Sequence, residues 1–292
     1  MQDGLVVVDK AAGWTSHDVV GKLRGVYGQR RIGHAGTLDP DATGVLLVGL
    51  GRVTRLMRFL QEAPKTYHAR VVFGIATDTL DAAGAVLEQA EMSFTRAHLD
   101  EAARAFRGDI EQIPPMVSAI KVGGRKLYEL ARKGEEIERA PRPVRIYRLD
   151  IESLTPGPYP EATMTVTCSS GTYIRSLAAD LGTALGGCAH LGTLRRTAIG
   201  SFAVDQASPM EVIEKDPAAV LLRPAEAMRD LEPVTVSEEE ARGVTHGATF
   251  VARNLLPDGA GDGPFAVLHD GELLAVYERR GAGVKPAVVC AS

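Results

Sequence analysis

The chain has 292 residues, 45% of them hydrophobic, which is enough for one large domain with a small one beside it. It carries a net charge of −4, and its three cysteines, Cys168, Cys188 and Cys290, are scattered at no zinc or redox spacing. That excludes a disulfide scaffold and suits a reducing cytoplasm. No run approaches the roughly 18 apolar residues of a membrane span, and the opening "MQDGLVVVDK" has no basic lead-in of the kind a secretory signal needs.

The first strand is predicted at "LVVVD", 5–9. Thr15 and Asp18 then make a capping-box pattern into a helix with Val19, Val20, Leu23 and Val26 at helical spacing. The apolar run "VLLVGL" at 45–50 predicts a fully buried strand, followed by a basic helix near 52–62 and a strand at "TYHARVVFG". "DTLDAAG" at 78–84 is a turn, and Thr95 caps a helix through "RAHLDEAARAF" that stops at Gly108. "SAIKVGGRKLYELARKG" predicts a strand, a Gly-Gly turn and a short helix. The strands "PVRIYRLDIESL" and "ATMTVTCSS" follow, then "GTYIRSLAADLGTALGG" switches to a helical pattern.

These signals predict an α+β fold with a mixed, largely antiparallel central sheet flanked by helices. Residues 206–230 form a helical connector, closing a first domain of 1–230. From 231 to 292 the short strands "ATFVA", "FAVLHDG", "ELLAVYERR" and "PAVVC" predict a small β-barrel-like domain, with a hairpin at "HDGELLAVY". "LPDGAGDGP" at 256–264 is its long loop.

The charge is unevenly spread. Basic residues crowd 1–70 and 121–148, whereas acids gather after 205, as in "SEEE" at 237–240. Such separation leaves room for a basic face toward phosphates on an acidic chain, although any single cluster also fits an ordinary solvated face.

The stretch "GHAGTLDPDATGVLLVGLG", 33–51, sets Asp39 between a glycine-rich turn and the buried strand. Pro40 biases Asp39 away from helical angles, and the glycines permit a tight, irregular loop at the rim of a sheet. The same residue types also make an ordinary turn in which an aspartate bonds its own backbone. The EF-hand pattern fails because its twelfth place is Leu50, and there is no P-loop. What remains is a carboxylate, ionised at neutral pH because its reference pKa is ~3.9, and able to act as a nucleophile. Arg175 in "GTYIRSL" offers a fork to hold it, and Tyr67 in "KTYHARVVFG" offers a ring to stack on a planar substrate. A surface helix-start arginine and a half-buried strand tyrosine are the plainer alternatives.

Five segments occur in order: "GHAGTLDPDATGVLLVGLG", "KTYHARVVFGIATDTLDAAG", "PPMVSAIKVGGRKLYELARKG", "GTYIRSLAADLG" and "AHLGTLRRTAIG". With the opening "GLVVVDKAAGWTSHDVV", they resemble the bacterial TruB-type tRNA pseudouridine synthases over about residues 4–205, and the terminal domain resembles a PUA RNA-binding domain. The resemblance implies the pseudouridine synthase fold and isomerisation of uridine 55 in the tRNA T loop, without cofactor or metal. It also implies a cytoplasmic monomer that needs no protein partner and no membrane. Asp39 matches the attacking aspartate, Tyr67 the tyrosine stacked on the flipped base, and Arg175 the arginine paired with the aspartate. Tyr173 is a wall of the pocket, Leu194 lines it, and His34 lies near the displaced nucleotides. Attack on the uracil ring and attack on the ribose carbon both fit the sequence. Lys10, Lys22, Arg30 and Arg31 are phosphate candidates on this reading.

Three rivals use the same residues differently. An RNA-guided relative of the dyskerin family shares the H-x-G-T-L-D-P loop but works inside a ribonucleoprotein. A non-catalytic RNA-folding protein would not need Asp39, Tyr67 and Arg175 together. A small-molecule hydrolase built on Asp39 lacks a recognisable base partner.

Overall fold

The computed structural model describes residues 2–117, 121–122, 125–126 and 137–290, which fall into two compact units. The first draws on Met1–Pro40, Gly44–Glu62 and Ile199–Ser292, the second on Asp41–Thr43 and Ala63–Ala198. No described helix is long and apolar enough to cross a membrane. The two-residue strands Lys121–Val122 and Arg125–Lys126 pair antiparallel, while the Gly-Gly turn expected between them and the short helix expected after them lie outside the described residues.

In the first unit, β1 (Gly4–Lys10) pairs antiparallel with β3 (Thr43–Leu50) along its whole length, Gly4 opposite Leu50 and Lys10 opposite Gly44. β2 (Ile32–Ala35) also pairs antiparallel with β3. Every residue of β3 after Thr43 is buried, as the unbroken apolar run requires. The helix Ser16–Val26 starts at the expected Thr15–Asp18 capping box. It sets Val19, Val20 and Leu23 against Val6, Val8, Leu46 and Val48. Side chains of this size gain about 1.5–3 kcal/mol each when fully buried, so this cluster carries much of the unit's stability.

In the second unit the strand order is β12 (Ala189–Ile199), β4 (Lys65–Phe73), β11 (Glu161–Cys168), β10 (Arg142–Thr155), β7 (Gly108–Gln112). β4, β11, β10 and β7 run antiparallel in turn. β11 alternates buried and half-buried residues along its length, the period of two in its sequence. The helix capped by Thr95 ends at Arg104, earlier than expected, because Gly108 at φ +91° already opens β7.

The C-terminal residues build a curled five-stranded sheet inside the first unit, in the order Glu232–Thr235, Phe265–His269, Glu272–Arg280, Gly283–Val289, Phe250–Val251. Its hairpin turns through Asp270 and Gly271, both at positive φ, as "HDG" leads one to expect. Its core centres on Phe265 and Tyr277, both fully buried.

Several expectations need correction. Glu232–Thr235 pairs parallel with Phe265–His269, and the acidic run "SEEE" opens a helix, Glu238–Thr245, with Ser237 as its cap. "ATFVA" keeps only two strand residues, Phe250–Val251, before a helical turn. The 206–230 connector is less helical than expected, with the helices Met210–Lys215 and Pro224–Ala227 on either side of a strand, Leu221–Leu222, that pairs with β1. The basic helix near 52–62 is a 3-10 turn, Gly51–Arg55, followed by the helix Met57–Glu62.

The charge reading is corrected there too. Arg52 binds Asp3 at 2.7 Å and the Cys290 carbonyl at 2.7 Å, and Arg55 donates to the Val289 carbonyl at 3.1 Å. Part of the basic character of residues 1–70 therefore also helps to hold the C-terminal sheet.

Candidate active site

β2 leads into the loop that carries Asp39. Gly36 makes the turn at φ +80°, a region that a residue with a Cβ avoids. On the N-terminal side of Asp39, the buried Ser16 hydroxyl accepts from the Leu38 N–H at 2.9 Å and donates to the Leu38 carbonyl at 3.2 Å. On the C-terminal side, the Pro40 carbonyl accepts from Lys10 Nζ at 2.9 Å and from the Gly13 N–H at 2.9 Å. The segment 10–16 thus holds the main chain on both sides of Asp39, while Asp39 itself stays partly exposed. A neutral hydrogen bond contributes about 0.5–1.5 kcal/mol net, and one from a charged donor about 1.5–3. Four of them fix this loop far more firmly than an exposed turn would be fixed.

Lys10 is therefore not the phosphate contact expected of it. It is 1% exposed. Its ammonium also donates to the carbonyls of Ala11 at 2.9 Å and Trp14 at 2.7 Å, so all three protons meet main-chain oxygens. Arg30 and Arg31 do stand exposed in the turn before β2, Arg31 donating to Thr54 Oγ1 at 3.0 Å. Lys22 is also on the surface, in an ion pair with Glu214. His34 sits on β2 opposite Val48, its ring edge-on to His17 with centroids 5.4 Å apart.

The second unit holds the other candidates. Tyr67 is the third residue of β4, opposite Val166 of β11, on the strand's buried face with Lys65 and Ala69. Leu194 lies half-buried on β12. Between β11 and the helix Ile174–Ala184, Gly171 takes φ +84° and Tyr173 is the helix N-cap. The amide of the buried Gln112 clips Tyr173 twice, accepting from its N–H at 2.9 Å and donating to its carbonyl at 3.2 Å. Ser176 Oγ donates to the Ile113 carbonyl at 3.0 Å, adding a second tie between the helix start and the end of β7.

Arg175 is 4% exposed, so it is no surface helix-start residue. Its guanidinium donates to the Thr79 carbonyl at 3.2 Å and the Val117 carbonyl at 2.9 Å, and lies 3.5 Å from the Asp81 carboxylate. Asp81 is the residue that sequence reasoning missed. It was part of a plain turn, "DTLDAAG". In the structure its carboxylate also accepts from Thr79 Oγ1 at 2.5 Å and from the Ala83 N–H at 3.2 Å. Only the presence of a second aspartate in one of the ordered segments hinted at it.

The three cysteine thiols are poorly suited as nucleophiles. Burial pushes the thiols of Cys168 and Cys290 up to about 11, so both are protonated at neutral pH. Burial also raises Cys188. The chemistry on offer is thus a partly exposed carboxylate on an anchored loop, a buried and ion-paired guanidinium, and a tyrosine on a strand.

A family model described as "TruB family pseudouridylate synthase (N terminal domain)" matches residues 24–174, and one described as "tRNA pseudouridylate synthase B C-terminal domain" matches residues 175–230. The chain is similar to the tRNA pseudouridine synthase B of Symbiobacterium thermophilum, 48% identical over 252 residues that cover 86% of this chain and 84% of that one. It is 44% identical to the tRNA pseudouridine synthase B of Thermobifida fusca, over 100% of this chain and 99% of the relative. Among solved structures, an H/ACA ribonucleoprotein bound to a substrate RNA containing 2′-deoxyuridine has a chain with a TM-score of 0.75 at 22% identity, covering 99% of this chain and 85% of that one. A chain of a Cbf5-Nop10-Gar1 complex has a TM-score of 0.75 at 24% identity, covering 98% and 84%. At such identities these structures speak for the fold alone. The two family models and the full-length relatives settle the assignment: the chain belongs to the TruB family of pseudouridylate synthases.

Proposed function

We propose that this protein converts uridine 55 in the T loop of tRNA to pseudouridine, with Asp39 as the nucleophile. The observation that carries the reading is the Asp39 loop, which keeps a carboxylate partly exposed while the main chain on both sides of it is hydrogen-bonded in place. The reaction is an isomerisation. The bond from the ribose C1′ to N1 breaks, a bond from C1′ to C5 forms, the C5 proton leaves and N1 gains one. Nothing is consumed, so the reaction balances without a co-substrate. A carboxylate suits both attack on the uracil ring and attack on C1′.

In this reading the target nucleotide leaves its stack at a cost of a few kcal/mol, and stacking on the Tyr67 ring, worth ~1–3 kcal/mol, offsets it. Arg175 orients the carboxylate, Tyr173 and Leu194 shape the pocket, and His34 meets the displaced nucleotides. Arg30 and Arg31 contact phosphates. Residues 1–230 are the catalytic domain and 231–292 a PUA-like RNA-binding domain. The protein acts as a cytoplasmic monomer without protein partner or guide RNA.

The test is to incubate the purified chain alone with an unmodified tRNA transcript and to map pseudouridine by chemical labelling and primer extension. Product confined to the T-loop uridine is expected. Product elsewhere, or product only when a guide RNA or further protein is added, would overturn the reading.

A further inference from the structure

We propose that Ser16 is a positioning residue for Asp39, fixing the peptide plane that leads into the nucleophile. The proposal rests on the reading of Asp39 as the attacking group. The Leu38 carbonyl belongs to the same peptide unit as the Asp39 N–H, so the bond from Ser16 Oγ, 3.2 Å, fixes how that plane is rotated. The bond from the Leu38 N–H to the same oxygen, 2.9 Å, fixes the plane before it. One hydroxyl thereby restrains two successive planes next to the nucleophile. Beyond Asp39, the ring of Pro40 locks its own φ, and Lys10 and Gly13 hold its carbonyl.

The helix that carries Ser16 does not need this hydroxyl. Thr15 is its N-cap, the Thr15 side chain accepts from the Asp18 N–H, and the Asp18 carboxylate accepts from the Thr15 N–H at 2.9 Å. That capping box satisfies the helix start by itself. Ser16 is 1% exposed, and both of its side-chain bonds cross 22 residues of sequence to one amino acid, the neighbour of Asp39. Alanine would serve the helix at least as well. The Leu38 side chain is buried, which anchors the residue, and the Ser16 hydroxyl adds a restraint on the rotation of its peptide planes. The carboxylate, one residue further on and partly exposed, would swing with them.

The experiment compares wild type, Ser16→Ala, Ser16→Cys and Asp39→Asn in single-turnover pseudouridine formation at saturating tRNA transcript, with transcript Kd and the thermal melt measured on each. Misplacing a reacting group by about 1 Å costs on the order of 100-fold in rate. For Ser16→Ala the expected result is a rate about 10- to 100-fold lower with Kd within about 2-fold of wild type. Ser16→Cys, which keeps a weaker donor and acceptor of similar shape, should fall between the two, and it carries the test by itself if the alanine variant does not fold. A folded Ser16→Ala as fast as wild type, or a loss shared equally between rate and Kd, would overturn the proposal while leaving the function intact, provided Asp39→Asn is inactive. An active Asp39→Asn would instead overturn the nucleophile assignment on which the proposal stands.

Discussion

The loop around Asp39 and the helix start around Arg175 solve a similar problem in opposite ways. Each places a charged residue at an irregular junction, and each is clipped by a buried neutral side chain that both donates to and accepts from one nearby residue: Ser16 on Leu38, Gln112 on Tyr173. They differ in what happens to the charge. Asp39 is fixed through its neighbours' main chain and stays partly open, as an attacking group must. Arg175 is buried and held through its own side chain, which donates to two carbonyls and lies beside the Asp81 carboxylate. On the proposed roles, a nucleophile needs access, whereas an orienting cation needs only rigidity.

The sharpest way to break this contrast is Arg175→Ala. It leaves the Thr79 and Val117 carbonyls without their guanidinium donors and Asp81 without its cation, so it should cost about 3 kcal/mol of stability in urea unfolding as well as activity. If stability were unchanged, the burial of this cation would not be holding the segment together. Gln112→Glu is milder. The Tyr173 N–H keeps an acceptor, but a carboxylate oxygen now opposes the Tyr173 carbonyl, and the loss should be about 1–3 kcal/mol. A Tm equal to wild type would show that the clip is dispensable.

The smallest effect lies in the C-terminal sheet. His269 bonds the Val236 carbonyl and lies near Glu238 and Asp270, and chiefly the first of these, then the two carboxylates, hold its pKa above the usual 6.5. The folded state therefore favours the protonated ring. Its contribution is complete below the unfolded value and fades as pH rises through the higher folded value. Amide exchange in Glu232–Thr235 and Phe265–His269 should accelerate across that window beyond the intrinsic pH dependence, and His269→Gln should remove the excess.

Much of this was legible in the sequence where the signal is local. The Thr15–Asp18 capping box, the buried run 45–50, the period of two in 161–168 and the "HDG" hairpin each determine structure within a few residues, and each formed. β12 carried no strand signal, because "AHLGTLRRTAI" mixes a glycine and two arginines and alternates nowhere. The helix Glu238–Thr245 hid in an acidic run, since Ala241 and Val244 are its only buried residues. Buried charges were the least legible. Lys10 and Arg175 find carbonyl partners 30 and 96 residues away, and nothing near either residue announces them. Asp39 itself was readable because glycine, proline and a buried strand crowd around it. Asp81, the partner of Arg175, had only turn chemistry beside it.

The central claim, that Asp39 performs the chemistry while the rest of the protein holds and presents it, is tested most directly by Asp39→Asn. The amide keeps the size of the side chain but is no nucleophile. The account predicts a variant with the wild-type melt, tRNA binding within about 2-fold and turnover reduced by on the order of 1,000-fold or more. Measurable pseudouridine formation at a rate near wild type would contradict it.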